Sequence, residues 1–154
     1  MKRLIYLISP NKIYKSFYKD LNKIFSSNKV KFFQLRLKKI SKNELMLIVK
    51  KIKILTQKHK VKLIINDSDE IAKKTNADGC HIGQTDGSLL NARNNLKNKI
   101  IGVTCHNSKK LAKKALKEKA DYIAFGSFYP SKLKPNARKA DLQVLKWAKK
   151  NIKK

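Results

Sequence analysis

The chain has 154 residues, with 38 Lys and Arg against 10 Asp and Glu, for a net charge of +28. Hydrophobic residues make up 42% and charged residues 31%, with only five Gly and three Pro, so collagen-like, low-complexity and wholly disordered readings are excluded. The length suits a single domain over residues 1–154, no apolar run approaches the about 18–20 residues that span a bilayer, and the amino terminus lacks a secretory cleavage pattern. The expectation is therefore a cytoplasmic protein with no membrane partner.

Short β-branched or aromatic runs alternate six times with longer segments of helical period. The first run, residues 3–9, precedes a candidate helix at 12–25. Residues 30–35 lead to a helix at 42–58, where Ser41 and Glu44 have the spacing of a capping box. Runs at 61–66 and 79–83 precede helices at 69–74 and 89–96. The fifth unit pairs 100–104 with 108–117, capped by Asn107 or Ser108. The sixth pairs 122–126 with 140–152, whose apolar stripe carries Trp147. Strands alternating with helices predict parallel βαβ units, and the near-continuous apolar runs predict strands buried on both faces. No Gly-x-Gly-x-x-Gly follows the first strand, which disfavours a doubly wound dinucleotide fold.

The charge invites a nucleic-acid reading, yet only four of the basic residues are Arg, and the Lys are scattered along the chain. Guanidinium groups stack on bases and make paired contacts that ammonium groups cannot, so this distribution reads as a bias in composition. Non-specific, salt-sensitive nucleic-acid binding is its expected consequence.

Polar residues gather where each strand ends: Gln34, Arg36 and Lys38; Asn66 and Asp67; His81, Gln84 and Asp86; Thr104, Cys105 and His106; then Ser131, Lys132 and Lys134 beyond the sixth strand. Parallel α/β sheets bind ligands at the carboxyl ends of their strands. Two carboxylates among several cations suit a metal-bridged phosphate or diphosphate. Asp67 is equally a candidate cap for the helix that follows it. Cys80-His81 and Cys105-His106 suggest zinc by residue type. Successive strand residues point to opposite faces, however, so all four do not readily converge, and buried thiols are the simpler expectation.

Five stretches carry a resemblance: Gln34-Leu35-Arg36-Leu37-Lys38, Leu63-Ile64-Ile65-Asn66-Asp67, Ala77 to Asp86, Ile101 to His106 and Ala120 to Ser131. Together they resemble the thiamine-phosphate synthase family, which includes thiazole tautomerase relatives and has a (β/α)8 TIM-barrel fold. The resemblance implies a transferase that joins hydroxymethylpyrimidine diphosphate to thiazole phosphate, releasing pyrophosphate. It further implies that Gln34, Arg36, Lys38, Asn66, Thr104 and Lys134 hold the pyrimidine diphosphate and that Asp67 and Asp86 bind Mg²⁺. Ser131, Lys132 and Leu133 stand where the family grips the thiazole phosphate, and no covalent protein nucleophile is expected.

Two features depart from the family pattern. The family has Thr-x-Thr-Lys where this chain has Ser131-Lys132-Leu133-Lys134, and Leu133 lacks the second hydroxyl. The family barrel also has eight βα units, of which about six are read here, so the expected form is an incomplete barrel whose open edges a second copy would cover. The alternatives are a catalytically degenerate diphosphate-binding or basic nucleic-acid-binding protein, and a tautomerase-like isomerase using His106.

Overall fold

The computed structural model describes residues 4–130 and 139–152. Strands and helices alternate without exception among them: β1 Ile5–Ile8, α1 Phe17–Ser26, β2 Val30–Leu35, α2 Lys42–Lys58, β3 Lys62–Asn66, α3 Asp69–Lys74, β4 Gly79–Ile82, α4 Leu89–Leu96, β5 Ile100–His106, α5 Lys109–Lys117, β6 Tyr122–Phe125 and α6 Leu142–Asn151. The six strands form one sheet in chain order, β1 to β6, with every neighbouring pair parallel. These are the parallel βαβ units that the alternation predicts, in the incomplete TIM-barrel form that the family resemblance implies.

Strand alternation divides the sheet into two environments. Phe33, Leu35, Leu63, Ile65, Cys80, Ile82, Ile101, Val103 and Cys105 form the face that packs on the helices, in one cluster with Phe17, Leu21 and Phe25 of α1 and Val49 and Ile52 of α2. Spacings of three and four residues along each helix put these apolar side chains on one stripe. Each fully buried aliphatic or aromatic residue contributes about 1.5–3 kcal/mol relative to exposure. Phe25 meets Phe33 edge to face, with ring centroids 5.5 Å apart. The intervening residues, Gln34, Ile64, His81, Thr104 and Tyr122, occupy the concave face.

Carboxylates at the amino ends of the strands fasten the sheet. Asp78 accepts from the Leu63 amide at 2.9 Å and from Lys62, and Asp121 accepts from the Ile101 amide at 2.8 Å. Arg93 on α4 brackets the same rim, donating to the carbonyls of Lys97, Lys99 and Lys119 and to Asp121. The opposite rim is thereby left to loops.

Helices α2, α3 and α4 have the bounds expected from sequence; serine caps explain this for α2 and α3, whereas Ser88 at the entry to α4 makes no side-chain cap bond. Ser41, Ser68 and Ser108 each accept a backbone N–H at the entry to α2, α3 and α5, and Asp141 does so for α6. α1 is the main departure, since it begins at Phe17 and not at residue 12. Asn11 is held instead by Arg36, whose Nη1 donates to its side-chain oxygen at 2.7 Å, and Ser16 turns its hydroxyl to Asp20. β5 also runs two residues further than expected, to His106.

Candidate active site

The carboxyl ends of β2, β3, β4 and β5 bring Gln34, Arg36, Lys38, Asn66, Asp67, Asp86 and Thr104 to one rim, because parallel strands all end on the same side. Ser131, Lys132, Leu133 and Lys134 lie outside the described residues. A cleft of about 510 Å³ opens on the loops after β5 and β6, between Asn107, Phe128, Tyr129 and Asp141.

Asp67 is not a helix cap, because Ser68 fills that role for α3. Its backbone is left-handed, with φ 65°, a conformation Asp tolerates better than most residues, and its amide donates to the His81 carbonyl at 2.8 Å. The carboxylate forms an ion pair with Lys38. Asp86 lies beside Asp67 and accepts from the Gly83 amide at 2.8 Å. Burial, and then the neighbouring Asp67, push the Asp86 carboxyl above the usual carboxylate range. A Cβ at residue 83 would stand 2.5 Å from the Asp86 carboxylate oxygen, so glycine is what permits the approach.

This pair fits a divalent cation on its own chemistry. Two adjacent carboxylates disfavour joint ionisation, and a cation between them removes that repulsion. Mg²⁺ commonly takes one or two carboxylates and fills its remaining positions with water and substrate phosphate oxygens. No cluster of three or more His, Cys, Asp or Glu suited to a metal occurs among the described residues. The two Cys-His pairs do not converge: Cys80 and Cys105 face the helices, fully buried, while the His81 ring lies on the concave face.

Beneath the rim runs a polar chain that motif reading did not assemble. Gln34, 3% exposed, donates from Nε2 to the Tyr6 phenol oxygen at 3.3 Å. The Tyr6 and Tyr122 oxygens are 2.6 Å apart. Tyr122 Oη lies 2.9 Å from His81 Nδ1, and His81 Nε2 lies 2.8 Å from Thr104 Oγ1. Burial pushes the Tyr6 phenol up to about 12 and that of Tyr122 higher still. Gly102 makes room for the chain, since a Cβ there would overlap the Tyr122 ring. Tyr6, Tyr122 and Asn11 are the residues that sequence reasoning missed. The available signal was a tyrosine at an inward-facing position in each of two short strands.

A family model described as thiamine monophosphate synthase matches residues 5–154. The chain is 58% identical over 150 residues to a thiamine-phosphate synthase of Pelagibacter ubique, covering 97% of this chain and 72% of that protein. It is 38% identical over 148 residues to one of Erythrobacter litoralis, covering 93% and 70%. A solved thiamine phosphate pyrophosphorylase from Pyrococcus furiosus superimposes with a TM-score of 0.85 at 25% identity, covering 99% of this chain and 72% of that one.

Proposed function

Because the chain belongs to the thiamine monophosphate synthase family, we propose that its carboxyl-end rim joins hydroxymethylpyrimidine diphosphate to thiazole phosphate, giving thiamine phosphate and pyrophosphate. The observation that carries the reading is the Lys38–Asp67 ion pair with Asp86 beside it, on the rim where Gln34, Arg36 and Thr104 also end. Neither the degenerate-binder alternative nor the tautomerase alternative is favoured by the relatives, which are named thiamine-phosphate synthases.

In this reading Gln34, Arg36, Lys38, Asn66, Thr104 and Lys134 hold the pyrimidine diphosphate. Departure of diphosphate builds negative charge on the leaving group and positive charge on the pyrimidine methylene, which the thiazole nitrogen then attacks. Arg36, Lys38 and Lys134 offset the leaving-group charge, and Asn11 holds the Arg36 guanidinium in place through its side-chain oxygen. Asp67 and Asp86 would hold Mg²⁺, which would supply positive charge to neutralise phosphate oxygens. Lys38 then has two roles, balancing Asp67 before substrate arrives and contacting phosphate afterwards. Ser131, Lys132 and Leu133 are assigned to the thiazole phosphate by their place in the sequence, and Leu133 has no hydroxyl to offer it. No side chain needs to act as a covalent nucleophile.

The reading includes a cytoplasmic location, consistent with two unpaired thiols. It also includes a second copy lying along the edge of β1, where Leu4, Ile5 and Ile8 are exposed. Sedimentation of the purified chain tests that association. The test of function is calorimetric titration with hydroxymethylpyrimidine diphosphate, with and without Mg²⁺, in salt that screens non-specific attraction. A thiamine phosphate assay after addition of thiazole phosphate completes it. Mg²⁺-dependent binding with product formation is expected, and both should be lost in Asp67→Ala and Asp86→Ala. Binding that survives both substitutions, or that DNA abolishes by competition at high salt, would instead mark a polyanion-binding surface.

A further inference from the structure

We propose that Tyr122 and His81 are positioning residues that fix the Thr104 hydroxyl as a hydrogen-bond donor into the diphosphate site, through a one-directional chain that begins at Gln34. The proposal rests on the functional reading above for its ligand and on the concave-face geometry for its direction.

The direction follows from counting protons. Gln34 Nε2 can only donate, so it makes Tyr6 an acceptor. The Tyr6 proton then points at Tyr122, 2.6 Å away, and the Tyr122 proton at His81 Nδ1. A neutral imidazole has one donor and one acceptor nitrogen, so with Nδ1 accepting, the proton sits on Nε2 and is donated to Thr104 Oγ1. Thr104, having received that bond, has its own proton for a ligand at the rim. The reverse arrangement would give Tyr6 two donors and leave its own proton without an acceptor among the described contacts. In that state Thr104 would turn its proton towards His81 and present only lone pairs to a diphosphate, which repels them.

Three features hold the chain in place. Tyr122 stacks on His81 with ring centroids 5.6 Å apart and an interplanar angle of 29°. Gly102 leaves the space that the Tyr122 ring fills. The Asp67 amide donates to the His81 carbonyl, which ties the backbone beneath the ring to the carboxylate pair. Gln34 and Thr104, both assigned to the pyrimidine diphosphate, sit at the two ends of the chain and share one hydrogen-bond polarity.

Nitrogen-15 NMR of a His59→Gln/His106→Gln variant, in which His81 is the remaining histidine, tests the direction without any ligand. An unprotonated, accepting Nδ1 and a protonated Nε2 are expected. A protonated Nδ1, alone or in a cationic ring, overturns the proposal. Calorimetry with hydroxymethylpyrimidine diphosphate then compares Tyr122→Phe, Thr104→Val and the double variant. Each single change should weaken binding about 3–10-fold, the worth of one neutral hydrogen bond, and the double variant should be no weaker than Thr104→Val alone. Losses that multiply show a merely structural Tyr122 and also overturn the proposal. If the unsubstituted chain does not bind the diphosphate, the functional reading fails, while the spectrum still decides the direction of the chain.

Discussion

The phenol oxygens of Tyr6 in β1 and Tyr122 in β6 lie 2.6 Å apart, although 116 residues separate them in sequence. The first and last strands of a flat six-stranded sheet would stand more than 20 Å apart at the usual spacing of about 4.8 Å between neighbours. The contact therefore records how far the sheet has curled, and it joins the two edge strands through side chains where no backbone ladder joins them. Tyr6→Phe leaves both Gln34 Nε2 and Tyr122 short of a partner. Unfolding free energy should fall by about 1–3 kcal/mol, the cost of stranding a buried polar group, as read from urea denaturation with an unchanged slope.

Gly83 is where the carboxylate pair is most easily perturbed without touching a carboxylate. Gly83→Ala pushes the Asp86 side chain away from the amide that it accepts from, because the new methyl group would stand 2.5 Å from its carboxylate oxygen. Mg²⁺-dependent binding of the pyrimidine diphosphate should weaken by about 10-fold or more, as expected for a charge-assisted hydrogen bond worth about 1.5–3 kcal/mol. Stability should change by less than about 1 kcal/mol. Calorimetry beside a thermal melt separates the two effects.

Phe25 is fully buried between α1 and the sheet, packed edge to face on Phe33. Phe25→Ala should cost about 3–5 kcal/mol, combining lost transfer free energy with the cavity left behind. Ile54, 67% exposed on α2, is the matched control and should change stability by less than about 0.5 kcal/mol on substitution by Ala. Parallel denaturation curves decide this.

Alkaline pH should destabilise the chain earlier than its high Lys content suggests. Burial pushes Cys80 up to about 12 and Cys105 up to about 11 from an ordinary 9.0, and Tyr6 up to about 12 from 10.0. Each group holds its proton longer in the folded chain than in the unfolded one. Their contribution to stability is therefore complete below about pH 9 and declines as pH rises towards 11–12. Denaturation midpoints should be flat between pH 7 and 8.5 and fall above that. Both thiols should also resist alkylation at neutral pH until the chain unfolds.

Sequence alone determined the alternation of strands and helices, the bounds of α2, α3 and α4, and the gathering of Gln34, Arg36, Lys38, Asn66, Asp67, Asp86 and Thr104 at strand ends. These are local or directional properties. Hydrophobic period, serine caps and the common direction of parallel strands are written within a few residues of where they act, and the five matching stretches carried the family. Tertiary structure alone decided the partners. Whether Asp67 capped α3 or faced Lys38 depended on Ser68 taking the cap and on the loop after β2 lying beside the loop after β3. Residues 12–16 had helical spacing, but α1 begins only at Phe17, and just before them the Arg36 bond holds the Asn11 side chain at the rim. The Tyr6–Tyr122–His81–Thr104 chain required four strands to be curled to one curvature. Curvature is a property of the whole sheet, accumulated from small twists between neighbours, and no short stretch of sequence states it.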